Sequence, residues 1–473
     1  MARAWVALAL VGTWLGTANA QDVLPVPPTS PGTPEGFQPT MAPGAVPGGE
    51  KAVPPGAPTA GAAPSNPTPA PQLPPGVPGQ VPGVPGYPGP EPACPPDFPC
   101  EEQEPSGDEG PACPCKNVPR LYTNVEFLQW WFRRRPTTVP LITTGDPADL
   151  IPGALGQPGT RILQSQNFQD ETGHAGGRLT VGYWLDCDHC FAVEGNAFGF
   201  QERTSTARFG TPGAAPIVLA RPFINANTLR EDADPVALPN ILGGGISFSQ
   251  PERLFGGELN LRVAGRPSIF SFSTYDLLLG VRYLQLEEKL IEQESLIDLP
   301  GLGMPGNQFS MLENFTTKNR FYGGQIGTEI NTRFCSVLFV TTLKVAVGYN
   351  REDAQVGALS RVIEPDGTVT TAANRGLFVQ PSNAGPHKRS RLAAVPEFAF
   401  NAIYEFNDYF RLNIGYTFLF QTNVIRPGNQ IDRSVNIQAL QPLGQIGPAR
   451  PQFPFRESEF YAQGLNVALE FSY

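Results

Sequence analysis

The sequence is poor in the features that mark helical membrane proteins and most enzymes. Only 3 of its 473 residues are His. Beyond residue 20 no apolar run approaches the ~20 residues of a membrane helix, and the longest, around residues 337–340, is broken by Thr341, Thr342 and Lys344. No H-E-x-x-H, G-x-S-x-G or phosphate-binding loop occurs, and His174 and His387 lie in no catalytic motif. We therefore expect no enzyme activity, no catalytic residue, no cofactor and no metal site.

Residues 1–20 are typical of a secretory signal peptide. Arg3 supplies a positive charge, residues 5–15 are apolar, and Ala18-Asn19-Ala20 forms an A-x-A cleavage site before Gln21. The alternative is an N-terminal membrane anchor, but the apolar run is too short to span a bilayer. Because Gln rather than Cys follows the site, a lipoprotein anchor is not indicated. We expect the chain to be exported.

Composition divides the rest of the chain in two. The 53 prolines are concentrated before residue 120, and residues 21–118 hold ten acidic residues against two lysines. Such a segment has little to bury and cannot maintain a helix or a strand ladder. The sequence predicts a disordered, acidic Pro/Gly-rich linker at 21–118, followed by a domain at 119–473. The acidity argues against nucleic acid as a partner.

The last nine residues alternate strictly in polarity. One face carries Leu465, Val467, Leu469, Phe471 and Tyr473; the other carries Asn466, Ala468, Glu470 and Ser472. A half-buried strand of a soluble sheet shows the same alternation of polarity. A chain that ends on such a strand favours an outer-membrane barrel, with lipid outside and water inside. Leu469, Phe471 and Tyr473 are then the expected assembly signal, read by the barrel-insertion machinery.

Similar alternation recurs from residue 121 onward in segments of about ten residues, the length of a tilted membrane strand. Six ascending strands are predicted near 121–132, 190–201, 241–250, 270–287, 335–350 and 409–422. Six descending strands are predicted near 176–186, 221–228, 254–264, 320–333, 394–406 and 459–473. Short turns alternate with long polar connections at 133–175, 288–319, 351–392 and 423–459. The pattern predicts an all-β, antiparallel up-and-down transmembrane β-barrel of about 12 strands; 221–228 and 241–250 are the least regular, so 10–14 fit.

Several stretches are similar to the beta-barrel porin family of planctomycete-type bacteria. They are GGRLTVGYWLDC at 176–187, ARPF at 220–223, LLLGVRYL at 277–284, NRFYGGQIG at 319–327 and YAQGLNVALEF at 461–471. The resemblance covers about residues 121–473 and leaves out the Pro-rich segment. It implies an outer-membrane location and a barrel architecture, and it supplies no substrate and no functional residues.

Charged residues at inward-facing positions are the main candidates for function. By parity the lumen receives Glu194, Glu258, Arg262, Asp276, Arg282, Glu329, Lys344, Glu397, Glu405 and Arg411. In a water-filled pore these charges would set selectivity for small hydrophilic solutes, which favours a passive porin. Alternatively they pair and fill a narrow barrel. The second hypothesis is a closed structural barrel in outer-membrane lipid, with the Pro-rich arm reaching the cell wall or the loops contacting a surface layer.

The seven cysteines are expected to serve structure. Cys187 and Cys190 have the spacing of a disulfide that clamps a tight turn; two free thiols, or a redox or metal pair, are the alternatives. Because seven is odd, Cys335 is expected to stay single. For Cys94, Cys100, Cys113 and Cys115 we expect local disulfides, and the alternative is a zinc site.

Two basic runs, at 387–391 and 133–135, lie at predicted strand ends. They suit either a solvated rim or a contact with a ligand or lipopolysaccharide.

Overall fold

The computed structural model describes residues 120–135, 137–164, 173–186, 188–210, 217–265, 273–300, 305–407, 410–440 and 447–472. The predicted signal peptide and linker, with the four linker cysteines, lie outside the described residues, as do Cys187 and Tyr473.

Regular structure in the described part of the chain is almost entirely β-strand. In chain order the strands are β1 (Leu121–Phe132), β2 (Ile142–Thr144), β3 (Arg161–Gln164), β4 (His174–Trp184), β5 (Phe191–Phe200), β6 (Arg203–Gly210), β7 (Leu219–Asn225), β8 (Arg230–Ala237), β9 (Leu242–Val263), β10 (Ser273–Asp298), β11 (Gln308–Phe334), β12 (Val337–Ile363), β13 (Val369–Ala373), β14 (Gly385–Asn407), β15 (Phe410–Ile425), β16 (Ser434–Val435) and β17 (Glu457–Ser472). Short 3-10 turns occur at Pro427–Gln430 and Ile437–Leu440. Among the described residues, no helix has the length and apolar character to cross a membrane.

Ten of the described strands close an antiparallel ring. Its order is β1, β4, β5, β9, β10, β11, β12, β14, β15 and β17. The ring closes where β17 pairs with β1, from Tyr122 opposite Ser472 to Phe132 opposite Ala462. At one end β6 joins β9 and β13 joins β12, which brings this sheet to twelve strands. The predicted antiparallel barrel of about twelve strands is confirmed, with a ring at the lower end of the range.

The two least regular predicted strands have other places in the fold. The segment at 221–228 belongs to β7, which lies in a separate five-stranded sheet with β2, β3, β8 and β16. Residues 219–223 are buried on both faces, so this strand is part of a core and does not face lipid. The segment at 241–250 is the outer half of β9 and is continuous with the predicted strand at 254–264.

Strand parity separates a lipid-facing wall from the interior. On β12, Leu343, Val345 and Val347 are 44–52% exposed while Lys344 between them is buried. Ten residues of such a strand rise ~33 Å along its axis and ~25 Å across the membrane at a tilt of ~40°, which is the height of the apolar band of membrane barrels. The outward apolar set also includes Val125, Phe127, Val181, Leu259, Leu261, Leu277, Leu279, Val281, Ile326, Ile414, Leu465 and Val467.

At the outer edge of this band the outward face changes from apolar to polar. Tyr283, Tyr322 and Tyr349 lie opposite one another on β10, β11 and β12 and mark the edge. Beyond them β10 turns Gln285, Glu287 and Lys289 outward and buries Leu284, Leu286 and Leu290 inside. The loops predicted at 288–319 and 351–392 are therefore wrong, because long strands continue through most of both segments.

The extended outer halves of the strands share a core with the five-stranded sheet. Leu141 just before β2, Ile142 of β2, and Leu219 and Phe223 of β7 belong to the same buried apolar cluster as residues of β9 to β12. The members from those strands are Ile246, Phe248, Leu290, Phe315 and Val356. We call this outer part of the protein, built from the second sheet and the strand extensions, the outer head.

Closure of the ring depends on a close approach between β17 and β1. A Cβ at Gly464 would lie 2.2 Å from the carbonyl oxygen of Gln129 and 2.6 Å from Trp130 Cδ1. We expect Gly464→Val to reduce the folded fraction several-fold, because the closing strand could no longer pair without displacing the indole. The measurement is the heat-modifiable band after refolding in detergent. Gly324→Val is the matched control, since its Cβ meets nothing within 4 Å; equal loss in both variants would contradict this account of closure.

Candidate functional site

The ten charged residues predicted for the lumen lie at inward positions and form three clusters. The central cluster contains Glu258, Arg282, Lys344 and Glu397; the lower cluster contains Glu194, Arg262, Asp276 and Glu329; the rim contains Glu405 and Arg411. We call the end with short turns the lower end, which is the periplasmic one in membrane barrels.

The central cluster is a balanced set of two cations and two anions. Arg282 Nη2 lies 2.6 Å from Glu258 Oε2 and 2.7 Å from Glu397 Oε2. Lys344 contacts Glu258 and lies 3.4 Å from Glu397 Oε1. Glu258 also accepts hydrogen bonds from Gln325 at 2.7 Å and from Asn196 at 2.6 Å. The charges neutralise one another across the lumen.

The lower cluster surrounds one guanidinium with three carboxylates. Arg262 lies 3.1 Å from Glu194, 2.9 Å from Asp276 and 2.6 Å from Glu329. Tyr122 donates its hydroxyl hydrogen to Glu194 at 2.8 Å. Arginine suits this position because its five donors can bond several carboxylates at once.

The rim at the lower end is partly solvated. Arg411 bridges Glu405 at 3.0 Å and Glu470 at 2.8 Å, and Arg333 also pairs with Glu405. Together with the lower cluster, Arg333, Arg411 and Glu470 line a chamber of about 820 Å³, bounded at its inner end by Lys344 and Glu397. The chamber occupies the lower half of the barrel interior.

Above the central cluster an apolar layer crosses the lumen. Nine of the ten ring strands contribute fully or nearly fully buried side chains to it, all within the described residues. Its largest members are Trp130, Phe200, Phe321 and Phe460, and the indole N–H of Trp130 donates to Asn466 Oδ1 at 2.8 Å. Leu128, Leu254, Leu284, Leu286, Ala346, Ala393, Val395, Leu419, Val424 and Ala462 complete the layer. We call it the dry layer.

Another group of ion pairs lies beyond the dry layer, on the side away from the central cluster. Arg426, which is almost fully buried, donates to Glu288 at 2.5–3.1 Å and to Glu252 at 3.3 Å. Arg135 also pairs with Glu252, at 2.9 Å, and His174 lies 3.6 Å from the same carboxylate. Two arginines thus face two glutamates, so this layer is also balanced in charge.

The outer head contains a third, unbalanced group. Arg221 of β7 lies 2.6 Å from Glu292, 3.3 Å from Glu294 and in contact with Glu313, with Asp234 of β8 close by. Burial raises the pKa of Glu292 to about 7. Burial, with the nearby Asp234 charge, raises the pKa of Glu294 to about 8 although Arg221 opposes the shift. Near neutral pH this group therefore retains protons.

The structure contradicts two of the predictions made for the cysteines. Cys190 carries a thiol whose Sγ lies 3.8 Å from the carbonyl oxygen of Asp188, so the predicted Cys187–Cys190 disulfide is wrong. The Asp186 carboxylate stabilises the turn instead, because it accepts hydrogen bonds from the backbone N–H groups of Phe191 at 2.8 Å and Cys190 at 2.9 Å. These hydrogen bonds lower the pKa of Asp186. Cys335 is disulfide-bonded, to a cysteine outside the described residues, so the prediction that it stays single is also wrong.

The two basic runs have intramolecular partners. Arg389 pairs with Glu352 and Glu457, and Arg391 with Glu457. In the other run, Arg133 pairs with Glu459 at 3.3 Å, while Arg135 is buried against Glu252. Neither run is a simple solvated rim.

Parity could have found several inward charges that the sequence reasoning left out. Glu126, Arg178 and Glu470 lie at inward positions of β1, β4 and β17, and Arg178 pairs with Glu126 at 3.4 Å. Arg221 and Arg426 gave no such signal, because they lie outside the membrane strands. Among the described residues no group of three or more His, Cys, Asp or Glu side chains is arranged to hold a metal ion.

Comparison with known proteins gives one extensive match. The family model described as putative beta barrel porin-7 matches residues 122–473. A search of curated proteins found no match to this chain. Among solved structures, the chain is similar to the outer membrane protease OmpT from Escherichia coli, at 8% identity and a TM-score of 0.36, covering 76% of this chain and 100% of that one. It is also similar to the P. putida toluene transporter TodX, at 9% identity and a TM-score of 0.17, covering 76% and 91%. Similarity at this level says nothing about what this chain binds.

Removing one partner from the central cluster should be costly. Lys344→Met leaves Glu258 and Glu397 with Arg282 alone, and we expect a loss of about 3–5 kcal/mol in the free energy of unfolding, because an uncompensated charge stays buried. Arg411→Met, at the partly exposed rim, should cost at most about 1 kcal/mol. Urea unfolding in lipid vesicles measures both. Similar losses in the two variants would show that burial does not determine how much the central cluster contributes to the free energy of unfolding.

The outer head should loosen as pH rises. Glu292 and Glu294 bind protons more tightly in the folded head than their usual pKa near 4.5 allows, so their contribution to stability is complete below that pH and is lost as pH rises through about 7–8. Protease cleavage between residues 217 and 240 should be roughly tenfold or more faster at pH 9 than at pH 6. Glu294→Gln should flatten this dependence. A wild-type rate that does not change with pH would refute it.

Proposed function

We propose that this chain, which belongs to the family described as putative beta barrel porin-7, is a closed outer-membrane barrel with a structural role in the cell envelope. The family match and the closed ring place the domain in the outer membrane. Export through the signal peptide, insertion by the barrel-assembly machinery and a contact between the Pro-rich arm and the cell wall are parts of the same proposal.

The dry layer is the observation that carries the proposal. Trp130, Phe321 and Phe460 belong to one buried apolar cluster inside the ring and are fully shielded from solvent, and the Trp130 and Phe200 rings lie 5.0 Å apart. A hydrated solute moving through the lumen would have to displace these side chains or lose its water in an apolar constriction, and hydrophobic constrictions close pores by excluding water.

The charged layers on either side support the same conclusion. In a ten-stranded ring the interior is narrow, and side chains can fill it. The central cluster is internally paired, and its Lys344 and Glu397 bound the lower chamber, which ends there. Displacing this cluster would separate ion pairs that are already removed from water, at substantial cost.

A passive porin for small hydrophilic solutes is the second candidate. The charged chamber of about 820 Å³ and the family description favour it. For the porin hypothesis to hold, the dry layer and the central cluster would have to rearrange to open a continuous polar path.

Conductance of the purified protein in planar bilayers distinguishes the two. We expect no channel steps from the wild-type protein and no swelling of liposomes in small sugars, because an apolar layer across the lumen would exclude water. Trp130→Ala should raise ion leak, since it opens a cavity in the dry layer. Trp131→Ala is the matched control, because Trp131 is the next residue but faces the lipid.

Stable wild-type conductance would overturn the closed barrel in favour of the porin. In that case Lys344→Glu combined with Arg411→Glu should shift the reversal potential in a salt gradient toward cation preference, because fixed lumen charges bias which ion enters. Heat-modifiable migration confirms that each variant folds.

A further inference from the structure

A group of basic side chains lies on the outer wall of the barrel just above the tyrosines that mark the edge of the apolar band. It consists of Arg253 on β9, Lys318 and Arg320 on β11, and Arg351 on β12, interspersed with Glu287 and Asp353. We call it the basic patch. Its four cations exceed its two anions, so the patch carries a net positive charge.

Strand register places the patch in ordered rows. Tyr283, Tyr322 and Tyr349 form the lowest row. Two residues higher, Arg320 and Arg351 lie directly opposite each other, and one further step up Lys318 pairs in register with both Glu287 and Asp353. Because outward side chains repeat every second residue, these three rows share one continuous surface.

The paired arginines leave positive charge uncompensated. Like charges at directly opposed positions of a sheet repel. Arg320 and Arg351 share the single carboxylate of Asp353, each at 3.2 Å, and the Arg351 side chain is 52% exposed. One carboxylate between two guanidiniums leaves a site for a second anion with oxygen acceptors, and phosphate matches the guanidinium fork.

The height of the patch identifies where such an anion comes from. Leu343, Val345 and Val347 below it are lipid-facing, and Tyr349 is 66% exposed at the edge of the band. The next row outward therefore lies at the level of the lipid headgroups, where basic side chains attract anionic lipids. Tyrosine rings at this level contact the boundary between acyl chains and headgroups, and the Tyr283 and Tyr322 rings lie 5.0 Å apart.

We infer that the basic patch binds a lipid with an anionic phosphate headgroup in the outer leaflet, with Arg320 and Arg351 holding the phosphate and the tyrosine row contacting the chains below. This lipid site is independent of whether the lumen is open or closed. The far side of the ring differs: Arg133, which directly follows β1, is paired one to one with Glu459.

Lipid titration of the delipidated protein in nonionic detergent, followed by native mass spectrometry, tests the site. The probes are phosphatidic acid, phosphatidylcholine and inorganic phosphate. We expect phosphatidic acid to bind at least tenfold more tightly than phosphatidylcholine, and inorganic phosphate not to compete at millimolar concentration. Arg351→Gln should weaken phosphatidic acid binding roughly fivefold, and Arg320→Gln with Arg351→Gln roughly 25-fold.

Arg133→Gln is the matched control, since it also removes one ion-paired outer arginine, and it should change affinity by less than twofold. If Arg133→Gln and Arg351→Gln weakened phosphatidic acid binding equally, general surface charge would explain the binding, and the proposed site would be wrong. Equal binding of phosphatidylcholine would exclude headgroup recognition, and competition by inorganic phosphate would indicate a free-anion site instead. Heat-modifiable migration checks folding, and the exposed position of Arg351 keeps the single variant informative if the double variant misfolds.

Discussion

Every backbone amide within the lipid-facing band must find its partner in a neighbouring strand, because hydrocarbon offers none. The chain meets this constraint by returning β17 to β1 and closing a ring of ten described strands. A ring of ten has a narrow interior, so inward side chains from opposite walls reach one another. The pairing of Lys344 and Arg282 with Glu258 and Glu397, and the meeting of aromatic rings in the dry layer, follow from that closure.

The edge of the apolar band divides the protein into two halves that differ in polarity. Below the tyrosine row the outside is apolar and the inside is largely charged; above it the outside is polar and the inside combines apolar side chains with buried ion pairs. The same strands run through both halves, so one set of ladders supports the membrane wall and the outer head. This change also places basic side chains and exposed tyrosines side by side at the headgroup level.

Charge balance differs among the buried ionic groups, and both the lower cluster and the outer head set one arginine against three carboxylates. The central cluster and the Arg426 layer each contain two cations and two anions. In the outer head a single arginine meets three glutamates, and it is there, away from the membrane, that burial raises carboxyl pKa values toward and above neutrality. The central cluster is balanced without retained protons, whereas the outer head depends on them.

The sequence by itself determined the membrane strands and their inward positions, because alternation with period two is local and lipid on one face makes it strong. It could not separate the outer strand extensions from loops, since their outward residues, such as Gln285 and Glu287, are polar and their inward partners are buried only by a distant sheet. It could not place β7 either, whose local pattern resembles that of a membrane strand. The dry layer across the lumen was decided by tertiary structure, because it depends on which distant strands meet around the ring.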